Sequence, residues 1–131
     1  IRIGRFAAGP VELQPGQTFD LDCTPEAAPG DVTRVPVTYL GLAEDVKAGD
    51  TLLLDDGLIE LAVERVDAPL IHCRVAIGGM LSDRKGINRL GGGLSVGALS
   101  EKDRADIELA ASMGADFVAV SFAASAADMN E

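Results

Sequence analysis

The chain has 131 residues, 47% hydrophobic and 24% charged, with 21 acidic against 11 basic side chains for a formal net charge of −10. That length suits one domain, or a small domain with a piece of another, and the composition is that of a folded chain with a core. So acidic a balance excludes a general duplex binder, which needs a basic face to displace counterions, and 4% aromatics leave little for a base-stacking platform. No apolar run nears the roughly 18 residues that cross a bilayer, and no charged segment leads into an apolar one as in a signal peptide. Cys23 and Cys73 form no C-x-x-C pair, and with one histidine, His72, they are too few for a Cys/His zinc centre. They read as two reduced, buried thiols of a cytoplasmic protein.

In chain order, the opening IRIGR alternates and predicts a strand carrying Arg2 and Arg5, residues that are ordinarily solvated on a strand edge. Segments VELQ (11–14) and TFDLDC (18–23) alternate again, the second placing Phe19, Leu21 and Cys23 on one face. VTRVPVTYL (32–40) is strand-like, with Pro36 demanding an edge or a bulge. LAEDVKAGD (42–50) predicts a helical turn that stops at Gly49. TLLLDDGLIELAVERV (51–66) reads as strand, tight turn, strand, because glycine after Asp56 accepts a positive φ without a Cβ clash. LIHCRVAI (70–77) is a further strand, bounded by Gly78 and Gly79. Short strands at this spacing predict a small antiparallel sandwich or barrel.

After Gly93 the rhythm changes. Ser100 and Asp103 make a capping-box pattern, Ile107, Ala110 and Ala111 follow at helical spacing, and Gly114 fits the left-handed end of a helix. DFVAVSF predicts a buried strand over 117–122, and Ser125 with Asp128 announces another helix. Helix alternating with strand is the order of a layered or barrel α/β domain. A helix start so near the last residue, and an opening strand without an initiator Met, lead us to expect a piece of a longer protein.

Chemistry concentrates in SDRKGINRLGGG (82–93), where Arg84, Lys85 and Arg89 lie among glycines of an otherwise acidic chain. Glycines let backbone N–H groups approach an anion, and a lysine there can meet phosphate oxygens as a compact charge. A flexible hinge with solvated charges fits the same residues. The stretch is neither a Walker A loop nor G-x-G-x-x-G. Asp55 and Asp56 are adjacent acids at a turn, two carboxylates being too few for a calcium cage. His72 alternates with Ile71 and Cys73 and reads as structural or surface. Ser121 would face an active-site rim if the strand before it belongs to a barrel.

Taken in order, IRIGRF, GDTLLLDDGLIEL, GGMLSDRKGIN, LSEKDRADI and ADFVAVSF resemble pyruvate kinase along nearly the whole chain. The resemblance implies a mainly β chain: a small antiparallel β-barrel lid with its opening strand over 1–92, then a helix-strand piece of a (β/α)8 TIM barrel over 93–131. It implies transfer of a phosphoryl group from phosphoenolpyruvate to ADP, giving pyruvate and ATP in glycolysis, in a cytoplasmic homotetramer. Mg2+ and K+ would be held by ligands outside this chain, so the chain alone is expected to be inactive. Lys85 would be the catalytic lid lysine that reaches the transferring phosphate, and Arg2 a nucleotide-phosphate arginine. Asp55 and Asp56 match the lid's D-D-G and would face the nucleotide, while Ser121 would border the substrate pocket. Three positions depart from the common pattern: Ala124 stands where many relatives have arginine, Arg84 precedes Lys85 in place of lysine or asparagine, and N-R-L-G-G-G-L-S replaces a proline-containing N-L-P-G. The competing reading is a stand-alone, non-catalytic β-barrel binding module.

Overall fold

The alternating segments fold as strands whose apolar sides share one core. The computed structural model describes residues 1–95, 99 and 101–119, and the chain divides into two compact units, Ile1–Ser95 and Val96–Glu131. The first unit holds β1 (Val11–Leu13), β2 (Thr18–Asp22), β3 (Arg34–Pro36), the single turn α1 (Leu42–Asp45), β4 (Thr51–Leu54), β5 (Ile59–Asp67), β6 (Leu70–Ile77), β7 (Gly79–Leu81) and β8 (Ile87–Arg89). A six-stranded sheet runs β3-β2-β6-β5-β4-β8, and β1 pairs β7 in a separate ribbon.

Register explains the core. Phe19 faces Cys73 and Leu21 faces Ile71 across β2–β6; Leu61 faces Val75 and Val63 faces Cys73 across β5–β6. Leu52 faces Leu61, and Leu54 faces both Ile59 and Ile87. All of these side chains are buried, so a slip of one residue would turn the set outward. Register shifts within β5, between Glu60 and Leu61 and between Val63 and Arg65, bend the longest strand and promote the curl of the sheet.

One pairing departs from the all-antiparallel expectation: β2 and β3 run parallel. Residues 23–33 supply the crossover that a parallel pair requires and a tight hairpin cannot. Pro36 takes the edge position that its missing N–H demands. The helical turn is shorter than the sequence implied. It spans Leu42–Asp45, buries Leu42 and Ala43, and leaves Gly49 in the next turn at φ +92°.

The opening segment joins the two edges of the sheet. On the β8 side, Ile87 N donates to Ile1 O at 3.0 Å and Ile3 N to Lys85 O at 2.9 Å. On the β3 side, Thr38 N donates to Arg2 O at 2.9 Å, Gly4 N to Pro36 O at 2.7 Å and Gly30 N to Arg5 O at 2.8 Å. Ile3 and Phe6 point into the core from this segment, while Arg2 and Arg5 are exposed.

In the second unit, α2 spans Glu101–Ser112 and carries an i,i+4 ion pair between Lys102 and Asp106. Gly114 adopts φ +74° as expected, with Gly114 N and Ala115 N donating to Ala111 O and Ala110 O. The buried strand expected over 117–122 is not seen in its described part. Residues 117–119 have no strand partner among the described residues, and Phe117 is 94% exposed. A strand is defined by its neighbours, and an apolar sequence without one stays irregular. Ser100, the rest of that segment, and the helix start at Ser125 and Asp128 lie outside the described residues.

Candidate functional site

The loop between β7 and β8 carries Lys85, and its backbone is tied down on both sides. Asp83 Oδ1 accepts from Phe6 N at 2.9 Å, Arg84 N donates to Gly4 O at 3.0 Å, and Lys85 O accepts from Ile3 N. Arg2 Nη1 donates to Arg84 O at 2.8 Å, and Asp55 N to Gly86 O at 3.2 Å. These bonds argue against the freely flexible hinge that the glycines alone permitted. The ammonium of Lys85 lies 2.9 Å from Asp55 Oδ1, and both side chains are half-buried, at 37% and 21% exposure.

The local backbone is unusual. Arg84, Asp55 and Asp56 all have positive φ, at 59°, 50° and 56°. Aspartate tolerates the left-handed region better than most L-residues, but arginine gains nothing there, and such a residue costs about 1 kcal/mol or more. Three of them lie on the two loops that meet at the Lys85–Asp55 pair. The expected tight turn after β4 is therefore a short 3₁₀ turn over Asp55–Gly57 rather than a two-residue hairpin.

The structure thus brings Arg2, Asp55 and Lys85 together, with the exposed Asp56 next in chain. Two cationic side chains at a half-exposed surface suit an anion with several oxygens: Lys85 as a point charge, Arg2 as a fork with N–H groups beyond the one given to Arg84 O. Ser121 and Ala124 lie outside the described residues. The site does not fit a metal ion. Among the described residues no three His, Cys, Asp or Glu side chains converge, and the Asp55 carboxylate is already paired.

Arg89, grouped in sequence with Arg84 and Lys85, belongs elsewhere. Its Nη2 lies 3.0 Å from Asp50 Oδ1 and its Nη1 donates to Gly92 O at 3.3 Å, while its buried Nε has no hydrogen-bond partner among the described residues. Asp45 Oδ2 accepts from Ser95 N at 2.7 Å and from the Tyr39 hydroxyl at 3.0 Å. Together these contacts strap residues 89–95 to the α1 region, with Gly91, Gly92 and Gly93 at φ +85°, +77° and +82°. Burial pushes the Asp45 carboxyl up, but its hydrogen bonds with Ser95 and Tyr39 and the nearby Arg89 outweigh that and hold it below the usual range. The Arg89 hydrogen bond, helped by the Lys47 amide, lowers Asp50 as well. None of this was legible from spacing; the one cue was a pair of acids, Asp45 closing the helical turn and Asp50 following it.

The remaining candidates read as structural. His72 bridges Asp20, 3.0 Å from Nδ1, and Asp67, 3.4 Å from Nε2, tying β6 to both neighbours. Cys23 and Cys73 are free and buried. Burial foremost, then the Asp20 and Glu64 carboxylates, pushes the Cys73 thiol up to about 12, which removes it as a nucleophile. A concavity of about 620 Å³ includes Arg5, Pro36 and Leu40 in its lining, but not Lys85.

Comparison with known proteins identifies the family and the fold. The family model described as "Pyruvate kinase, barrel domain" matches residues 1–131. Pyruvate kinase II of Salmonella typhimurium is 48% identical over 130 residues, covering 99% of this chain and 27% of the relative. Pyruvate kinase of Haemophilus influenzae is also 48% identical over 130 residues with the same coverage. The crystal structure of a pyruvate kinase from Cryptosporidium parvum superposes with a TM-score of 0.87 at 30% identity, covering 98% of this chain and 26% of that one. The chain thus spans about a quarter of the length of the relatives it matches. With a family match along its whole length, and with the mainly β fold that the motifs implied, the chain belongs to the pyruvate kinase family.

Proposed function

We propose that this chain is part of a longer pyruvate kinase that transfers the phosphoryl group of phosphoenolpyruvate to ADP, giving pyruvate and ATP in glycolysis. Residues 1–92 are the lid with its opening strand, and residues 93–131 return to the (β/α)8 barrel. The observation that carries the reading is the bonded set Arg2, Arg84, Lys85 and Asp55, which presents two cations on a backbone held in place from several sides. Phosphoryl transfer demands positioning and charge stabilisation more than covalent chemistry. Lys85 supplies an ammonium to the moving phosphoryl group, whose charge is spread over equatorial oxygens, and is therefore a catalytic residue. Arg2 binds nucleotide phosphate while its bond to Arg84 O orients the loop. Asp55 and Asp56 border the nucleotide and keep the cations from being a sink for any anion. Ser121 borders the substrate pocket. Mg2+ and K+ bind outside this chain, and the whole protein is a cytoplasmic homotetramer. The alternative of a stand-alone binding module lacks a supporting observation, since the family match includes residues on both sides of the boundary at Ser95.

The test is steady-state kinetics in the longer enzyme. Lys85→Ala should lower kcat by roughly 100-fold, the loss of one preorganised charged donor worth about 3 kcal/mol. Lys85→Arg should rescue poorly, because a planar fork does not fit a point-charge site. Arg84→Ala should remain near wild type, since its side chain is exposed and its bonds are made by its backbone. Residues 1–131 alone, with Mg2+ and K+, should form no ATP. Equal, small effects at positions 84 and 85 would refute the assignment of Lys85.

A further inference from the structure

The ammonium of Lys85 already has an anionic partner. Asp55 Oδ1 lies 2.9 Å from it, so one of its three N–H donors and much of its charge are committed before a phosphate arrives. The pair is also over-determined. Arg84 and Asp55 are both held at positive φ, and the bonds from Arg2 Nη1 to Arg84 O, from Asp55 N to Gly86 O and from Ile3 N to Lys85 O leave the two loops little freedom. Backbone strain of this kind persists where the surrounding structure enforces it, and of the four described non-glycine residues at positive φ all but Glu26 lie on these two loops.

We infer that Asp55 is a latch on Lys85: its carboxylate holds the ammonium oriented toward the phosphate position and must be displaced when a nucleoside polyphosphate arrives. This rests on the reading of Lys85 as the phosphate lysine. Asp55 is then a positioning residue that acts on the nucleotide through Lys85. A polyphosphate carries more charge than one carboxylate and wins the exchange, while a single stray anion competes poorly. The latch lowers affinity by the fraction of time that Lys85 is released, so removing it tightens binding.

Metal-free inorganic tripolyphosphate is the probe, titrated into the 131-residue chain while the Lys85 and Gly86 amide resonances are followed. A half-buried ion pair of about 1 kcal/mol predicts that Asp55→Asn binds roughly fivefold more tightly. Asparagine keeps the left-handed preference of the position, and thermal melts check the fold. Asp56→Asn removes the same charge one residue away, at an exposed side chain, and should tighten binding by about twofold or less. In a Lys85→Met background, binding should be weak and Asp55→Asn should act no more strongly than Asp56→Asn. If the two asparagine variants match while Lys85→Met still weakens binding, the latch is wrong and the phosphate reading stands. If Lys85→Met binds as the wild type does, or the wild type shows no shift, the phosphate reading falls and the latch with it.

Discussion

Cys73 illustrates how burial sets chemistry for a single residue. The thiol sits between core side chains on β6, and its proton is held up to about 12, against an ordinary value of 9.0. Cys23 is raised too, by burial first, although its hydrogen bond with the Ala43 backbone pulls the other way. Below the ordinary thiol range both folded and unfolded chains carry the Cys73 proton, so stability is insensitive to its titration. Above it the unfolded chain loses the proton first, and stability falls by at most about 1.4 kcal/mol per pH unit until the folded value is reached. Cys73→Ala costs packing at every pH but removes this alkaline loss. Denaturant melts should therefore show the gap between wild type and Cys73→Ala shrinking from about pH 7 to about pH 10. A constant gap would mean that the thiol ionises freely in the folded protein. The same proton makes Cys73 slow toward thiol reagents until the chain is unfolded.

Among elements, the strap over residues 89–95 departs most from what its glycines imply. β8 pairs β4, with Leu52 facing Arg89, and the chain then passes three left-handed glycines while Arg89 is clamped by Asp50 and Gly92 O. Trypsin needs the Arg89 side chain released from that clamp and the local backbone opened. Asp50→Ala should raise cleavage after Arg89 by about tenfold, equivalent to about 1.4 kcal/mol of local opening, and change global stability little. Mass analysis of early digestion products reads this directly. Unchanged cleavage would show that pairing with β4 alone protects the site. Asp45 and Asp50 both lie below the usual carboxylate range in the folded state, so the strap's contribution is present above that range. It is lost as pH falls through their folded values. In α2, by contrast, no residue is buried, and surface pairs such as Lys102–Asp106 support the helix.

For the molecule as a whole, the described core lies within the first unit. The buried apolar side chains run from Ile3 to Ile87, and all fall within Ile1–Ser95. A chain ending at Ser95 should therefore unfold cooperatively, with its Tm within about 5 °C of that of the 131-residue chain, roughly 1 kcal/mol for a domain of this size. Calorimetry of the two chains checks this. A truncated chain with no cooperative transition would place essential packing beyond Ser95.

Local chemistry determined much of this protein from its sequence. Alternation placed Phe19, Leu21 and Cys23 on one buried face, Pro36 marked a sheet edge, and Gly114 marked the end of α2. These features follow from side-chain periodicity and from φ restrictions that act over a few residues, and the run of motifs carried the family. Tertiary structure alone decided the parallel β2–β3 pair, the joining of the two sheet edges by residues 1–7, and the separation of Arg89 from Lys85. It also decided that Arg2 meets Arg84 across 82 positions and that Lys85 meets Asp55. Such contacts depend on register, curl and chain closure between distant segments, and no local preference encodes them. The basic cluster in the sequence was therefore real as composition but split in space: Lys85 joins Arg2 and Asp55 at the candidate site, and Arg89 fastens the strap.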